Sequence, residues 1–161
     1  MLYKKVLYHS AIGYLTIVSD NHYIRKLEFG KKELVEDDYC ADSCDLIQLA
    51  EQQLMEYLDG KRIRFELPLA PEGTTFQKSV WDTLQKIPYG ETLSYKKIAE
   101  LIGHPKAVRA VGGACNRNPI VIFVPCHRVV GSNGSRTGFA GGLPTKNWLL
   151  ELEKANNNTA F

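Results

Sequence analysis

Three segments near the start, Tyr3 to Tyr8, Gly13 to Ser19 and Tyr23 to Phe29, are dense in β-branched and aromatic residues, and Asp20-Asn21 supplies a turn between the last two. They predict an antiparallel meander. The period then changes: Leu46, Ile47, Ala50, Leu54, Tyr57 and Leu58 recur at helical spacing, and Gly60 stands where a helix terminator is expected. A short strand is expected around Ile63 to Leu67. The run Pro68-Leu69-Ala70-Pro71-Glu72-Gly73 breaks both periodicities and predicts a boundary between a domain at 1–73 and another at 74–161.

Beyond that boundary, Thr74 or Thr75 can cap a helix burying Phe76, Val80, Leu84 and Ile87, which Pro88-Tyr89-Gly90 ends. Ser94 is a cap for a helix through Ile102 that buries Ile98, Leu101 and Ile102. Gly103-His104-Pro105 then forces a turn before a second helix from about Lys106 to Arg117, which is helix-turn-helix spacing. In that second helix Ala107, Ala110, Gly113 and Ala114 share one face, although Gly112 and Gly113 each sacrifice about 1 kcal/mol of helix propensity. Such a face makes no bidentate base contacts, so it reads either as a smooth wedge for the minor groove of DNA or as tight helix packing in the core. Arg109, an exposed cation beside it, is a candidate to enter a base stack or is simply solvated.

Charge sharpens this picture. Residues 1–73 hold nine Lys/Arg against thirteen Asp/Glu, and residues 74–161 hold eleven against five, a split of −4 and +6. No acid lies between Glu100 and Glu151, while Lys106, Arg109, Arg117, Arg128, Arg136 and Lys146 do, so the segment carries a positive field suited to a polyanion. The composition, 44% hydrophobic and 24% charged, is that of a globular chain. No stretch approaches the ~18 to 20 apolar residues of a membrane span, and no leader-like cleavage site follows the apolar start, so a cytoplasmic protein without a membrane partner is expected. Cys40, Cys44, Cys115 and Cys126 fit neither a secreted disulfide framework nor a zinc clip, and free thiols are expected.

The apolar run Ile120 to Val124 reads as a buried strand that delivers Pro125-Cys126-His127-Arg128 to the edge of a glycine-rich loop, Gly131 to Ser135. A thiolate attacks where a thiol does not, so Cys126 needs a base or a positive field. His127 and Arg128 are adjacent, but neighbours on a strand point to opposite faces, so His127 would act through a water or after a local twist. A carboxylate to orient the imidazole comes most economically from Glu151 or Glu153, on a last helix that buries Trp148, Leu149 and Leu152. The Asn156-Asn157-Asn158 tail is expected to fray. A buried structural cysteine is the competing reading of Cys126.

The Pro-Cys-His-Arg-Val run at 125–129, with Arg109 to Ala114 and Asn118-Pro119 upstream and Gly141-Gly142-Leu143 downstream, resembles the methylated-DNA–protein-cysteine methyltransferases, the O6-alkylguanine-DNA alkyltransferases. The match is close from Phe76 to Glu153. The resemblance implies an α/β (α+β) fold, with an N-terminal antiparallel sheet and helix of ribonuclease H-like type and a C-terminal winged helix-turn-helix domain. It implies that Cys126 takes the alkyl group, that His127 deprotonates it through a water and that Glu153 orients the histidine. Asn118 would stabilise the hinge and the thiolate, Tyr95 would contact the extruded guanine and its phosphate, and Arg109 would fill the vacated stack. The carbonyls of Cys126 and Val129 would accept from the guanine amine, and the Ala140 N–H would reach O6.

An alkyl group on O6 is out of reach inside a duplex, so the nucleotide must be rotated out, which explains a smooth helix in the minor groove. The expected reaction is one irreversible transfer per molecule from O6-alkylguanine, and also O4-alkylthymine, in double-stranded DNA. No cofactor or metal is expected, and a monomer is expected in the absence of DNA. The family often carries Tyr-Ser where this chain has Phe139-Ala140, removing two hydroxyls from the pocket rim. A related binding-only group has tryptophan at the position of Cys126. The alternatives that remain are a recognition protein of that kind, a DNA-binding regulator and a cysteine hydrolase using Cys126, His127 and Glu153.

Overall fold

The computed structural model describes residues 2–32, 39–40 (backbone), 43–136 and 138–157. The chain divides into two compact units, Met1–Glu72 with Pro119–Val121, and Gly73–Asn118 with Ile122–Phe161.

In the first unit β1 (Leu2–His9), β2 (Gly13–Ser19) and β3 (Ile24–Phe29) form the expected antiparallel meander. Asp20 makes the turn between β2 and β3: its Oδ1 accepts the N–H groups of His22 (2.7 Å) and Tyr23 (2.6 Å), the usual way an aspartate closes a turn. A two-residue strand, β4 (Tyr39–Cys40), adds parallel to β1 and gives the order β3-β2-β1-β4, an element too short for any sequence signal. The Cys40 side chain lies outside the described residues, whereas Cys44, Cys115 and Cys126 are free thiols.

Helix α1 (Asp45–Leu58) buries Ile47, Ala50, Leu54, Tyr57 and Leu58 against β1 and β2. It ends in a Schellman turn. Lys61 N–H bonds to the Glu56 carbonyl (2.8 Å) and Gly60 N–H to that of Tyr57 (3.0 Å), with Gly60 at φ +76°, where a side chain would be strained.

The strand expected at residues 63–67 is absent. Its backbone is served instead by the buried Gln53 side chain, whose Oε1 accepts from Glu66 N–H (2.9 Å) while its Nε2 donates to the Glu66 carbonyl (3.4 Å). The exposed edge of β3 is covered by two short segments: Ile24 pairs with Pro68 and Ala70, and Leu27 with Pro119 and Val121. Replacing Gln53 with Leu keeps the volume but removes both hydrogen bonds to the Glu66 backbone. A loss of about 2 kcal/mol is expected, read as a lower urea midpoint.

In the second unit α2 (Thr75–Leu84) starts with a reciprocal capping box. Thr74 Oγ1 accepts from Gln77 N–H (3.1 Å) and Gln77 Oε1 accepts from Thr74 N–H (2.9 Å). Its buried residues are Val80, Trp81 and Leu84, while Phe76 is only half-buried and Ile87 is buried beyond the helix end. β5 (Leu93–Ser94) runs into α3 (Tyr95–Leu101), capped by Ser94 Oγ on Lys97 N–H (3.0 Å), and a turn leads to α4 (Val108–Asn116). This is the predicted helix-turn-helix, with its core corrected: Leu101 faces solvent, Ile102 is half-buried, and Ala99 joins Ile98 in the core.

The buried strand expected at Ile120 to Val124, ahead of Pro125-Cys126-His127-Arg128, is also corrected. The segment is buried throughout, but Ile122 turns the chain at φ +70°, Cys126–Arg128 form a 3-10 turn, and only β6 (Val129–Val130) is strand, pairing parallel with β5. The last helix, α5 (Leu143–Asn157), turns Lys146, Leu149, Leu150 and Glu153 inward, whereas Trp148 and Leu152 are half-buried. Asn156 and Asn157 belong to this helix instead of a frayed tail, and Asn158 lies outside the described residues.

Candidate active site

The thiol comes first. Cys126 is almost fully buried, and the 3-10 turn that carries it is closed by the Arg128 N–H on the Pro125 carbonyl (3.0 Å). Asn118 donates Nδ2 to the Val124 carbonyl (2.8 Å) and hydrogen-bonds the Cys126 thiol, so one amide ties the approach segment to the sulfur. Burial pushes the Cys126 thiol up, because a thiolate is poorly solvated there, while Asn118 and the Lys146 cation act in the opposite direction. The left-handed backbone at Ile122, rare for a β-branched residue, is the strained step that turns the chain toward this site.

Behind the thiol stands a network with one carboxylate at its centre. Glu153 Oε2 meets His127 Nε2 at 2.7 Å, and the Arg128 guanidinium grips both oxygens, Nε on Oε1 at 2.8 Å and the second terminal nitrogen on Oε2 at 3.1 Å. Gly90 N–H donates to Oε1 (3.1 Å), and the remaining arm of Arg128 donates to the Ile87 carbonyl (2.8 Å). Gly90 lies at φ +80°, and a β-carbon there would strike Asn157. Burial opposes the charge on Glu153, yet the hydrogen bonds of His127 and Arg128 and the charge of Arg128 outweigh it and hold the carboxyl well below its ordinary range. For His127 burial wins: its pKa lies below 6.5 despite Glu153, so the imidazole is neutral at physiological pH and able to accept a proton. Of the two acids named as candidates, Glu151 is exposed and pairs with Arg136 (2.9 Å); Glu153 is the one at the histidine.

Sequence reasoning missed two members of this site. Arg128 reads as one more basic residue, but it is buried as the counter-ion of Glu153. Lys146 reads the same way, yet it is fully buried, donates Nζ to the Val129 carbonyl at 2.6 Å and stands 5.9 Å from the centre of the Tyr95 ring. Its position inside α5 at the spacing of Leu149, Leu150 and Glu153 was the available signal. The Val129 carbonyl therefore already holds one donor. Tyr95 is half-buried, and burial followed by the neighbouring thiols of Cys115 and Cys126 pushes its phenol up to about 12, so it keeps its proton. Its hydroxyl lies 3.9 Å from where a Gly138 β-carbon would be, which sets the Gly138–Gly142 turn, with half-buried Phe139 and exposed Ala140, beside it.

On α4 the small residues part company. Ala110 and Gly113 are exposed and Ala107 is half-buried, but Ala114 lies in the core, where its carbonyl accepts from Trp81 Nε1 (2.9 Å); it does not share the open face. Arg109 is exposed. A β-carbon at Gly112 or Gly113 would find no atom of the rest of the molecule within 4 Å, so packing inside this chain does not require either glycine.

A buried thiol and a histidine–glutamate pair share one unit with a helix-turn-helix, a fold of the class that binds DNA. Residues 3–71 match the 6-O-methylguanine DNA methyltransferase ribonuclease-like domain, and residues 75–155 match the DNA binding domain of the same proteins. A methylated-DNA–protein-cysteine methyltransferase of Methanosarcina acetivorans is 48% identical over 91% of this chain and 96% of its own. The constitutive methylated-DNA–protein-cysteine methyltransferase of Bacillus subtilis is 45% identical over 89% and 90%. The crystal structure of Mycobacterium tuberculosis OGT in complex with DNA superposes with a TM-score of 0.86 at 41% identity, covering 96% of this chain and 94% of that one. The chain belongs to the 6-O-methylguanine DNA methyltransferase family.

Both buried titrating groups make the fold acid-sensitive. His127 stays neutral in the fold, so below its ordinary value of 6.5 the unfolded chain takes up a proton that the folded one refuses, and stability falls. Glu153 has a depressed folded pKa, so its contribution is complete above 4.5 and is lost as pH falls through the folded value. Thermal melts should be flat near neutrality and decline in these two stages. Glu153→Gln should cost about 3–5 kcal/mol at neutral pH, because Arg128 is left buried without a counter-charge, and should flatten the lower stage.

Proposed function

We propose that this protein repairs DNA by direct reversal, moving a methyl or other alkyl group from O6 of guanine, and from O4 of thymine, to Cys126. The observation that carries the reading is the buried Cys126 thiol held by Asn118 beside the His127–Glu153 pair, within the unit that presents α4. Support for the partner comes from the family and from a relative crystallised with DNA.

In this mechanism duplex DNA is approached through the minor groove by the open face of Ala107, Ala110 and Gly113, where only small residues let a backbone come close. The lesion is rotated out of the stack and Arg109 occupies the space it leaves. His127, with Nε2 engaged by Glu153, takes the Cys126 proton through a water, and the Lys146 cation favours the thiolate that results. Sulfur attacks the alkyl carbon, the S–C bond forms as the C–O6 bond breaks, and guanine leaves with the electron pair. Tyr95, which keeps its proton, donates a hydrogen bond to the leaving base; the Ala140 N–H serves O6. The carbonyls of Cys126 and Val129 accept from the guanine amine, Val129 sharing its oxygen with Lys146.

The product is a dialkyl thioether, inert to water and thiols, so each molecule acts once. All the reacting groups come from one chain, which acts as a monomer in the absence of DNA. Residues 1–73 form its N-terminal domain and 74–161 the domain that binds DNA and accepts the group. Three free thiols suit a reducing compartment, the cytoplasm; among the described residues no helix is long and apolar enough to cross a membrane.

Incubation with a duplex containing one O6-methylguanine should raise the intact mass by one methylene, ~14 Da, at Cys126, once per molecule. Cys126→Ala should abolish the gain and keep DNA binding. Binding of the lesion with no mass change would mark a recognition protein instead, and repeated turnover on an ester would mark a hydrolase. A second expectation follows from the open space at α4: Gly113→Ala should stabilise the fold by about 0.5–1 kcal/mol in thermal melts and weaken duplex binding in a titration.

A further inference from the structure

The guanidinium of buried Arg128 is committed at every nitrogen. Nε reaches Oε1 of Glu153 at 2.8 Å, one terminal nitrogen reaches Oε2 at 3.1 Å, and the other reaches the Ile87 carbonyl at 2.8 Å, with the cation 5.7 Å from the centre of the Tyr89 ring. Seen from the carboxylate, each oxygen accepts from two donors. Oε1 holds Arg128 Nε and the Gly90 N–H, and Oε2 holds the second arm of Arg128 and His127 Nε2. A carboxylate offers about four lone-pair sites, so this one is full, and a proton could settle on it only by displacing a donor.

The same occupancy fixes the histidine. An ionised carboxylate only accepts, so Nε2 carries the N–H, and the neutral ring has its lone pair at Nδ1. We propose that Arg128 is a positioning residue for the transfer: by filling the Glu153 carboxylate it denies that group the reaction proton, which goes to Nδ1 of His127 and stays on the imidazole. The S–H bond of Cys126 breaks with its electron pair left on sulfur. The relaying water takes that proton and gives one of its own to Nδ1, while Nε2 keeps its hydrogen.

This placement preserves the charge that the imidazolium needs beside it. A carboxylate able to share the proton would turn neutral as the thiolate forms, and the ring would lose the anion that holds it. The groups facing the imidazole also set the pH at which it works. Burial keeps His127 below its ordinary value, Glu153 pulls the other way, and the cations of Arg128 and, from α5, Lys146 act with burial. Arg128→Lys keeps a cation but cannot fill both oxygens. The vacated lone pair lets the His127–Glu153 pair take up a proton at higher pH, and the base is lost there.

The proposal rests on His127 acting as the base for Cys126. Its test compares Arg128→Lys with the wild-type full chain, using a saturating duplex that contains one O6-methylguanine. The single-turnover rate constant, taken per folded molecule, should fall about tenfold at neutral pH, and the midpoint of its acid limb should move up by about one pH unit. A Lys variant with the wild-type rate and midpoint overturns the proposal, since any cation would then serve. A second measurement needs neither transfer nor a folded variant: nitrogen-15 spectra of the histidine rings, with His127 assigned by its loss in His127→Asn. In the wild-type protein at neutral pH they should show the Nε2–H tautomer, and on acidification Nδ1 should take the proton. An Nδ1–H tautomer or an imidazolium at neutral pH overturns the proposal. If the wild-type protein transfers nothing to Cys126 at any pH, the reading of the acceptor fails instead.

Discussion

A single buried carboxylate organises the reacting half of this protein. Glu153 takes its place in the core only because four donors converge on it: the imidazole of His127, two nitrogens of Arg128 and the N–H of Gly90. A charge so placed would otherwise be expelled or neutralised. The same contacts set the chemistry. They hold the histidine by Nε2, while burial keeps it neutral against the pull of Glu153, and they fix the 3-10 turn that carries Cys126 relative to α5. Stability and reactivity therefore share their atoms.

The thiol depends on a different balance. Burial works against a thiolate, and this site compensates with one amide, Asn118, and one ammonium, Lys146, which is itself kept in the core by the Val129 carbonyl. The Lys146 cation is also under pressure to lose its proton, chiefly through burial, and is favoured as a cation by the two thiols. The ammonium that favours a thiolate at Cys126 thus also occupies the Val129 carbonyl, which ties the charge of the sulfur to one backbone acceptor.

Helix α4 shows function written as a local defect. Two adjacent glycines weaken a nine-residue helix without relieving any contact in the chain. Tolerating that loss is reasonable only if the open face must meet something else closely, and Trp81, bonded to the Ala114 carbonyl on the buried side, compensates by anchoring the helix from behind.

The sequence by itself determined the meander, the helices and their caps and the helix-turn-helix, because these are signalled by spacing and by local turn chemistry, and a dense motif singled out Cys126 as the candidate thiol. It narrowed the carboxylate to two residues, Glu151 and Glu153, two positions apart on one helix; only the packing of α5 turns the second inward. It predicted strands at 63–67 and 120–124 where tertiary structure substitutes a buried glutamine and a left-handed isoleucine that leads into a 3-10 turn. It ranked Arg128 and Lys146 with the surface charges and set Ala114 beside Ala110. A local pattern reports which backbone a segment prefers. It does not report which distant partner makes burial of a charge affordable, and that was decided by the fold.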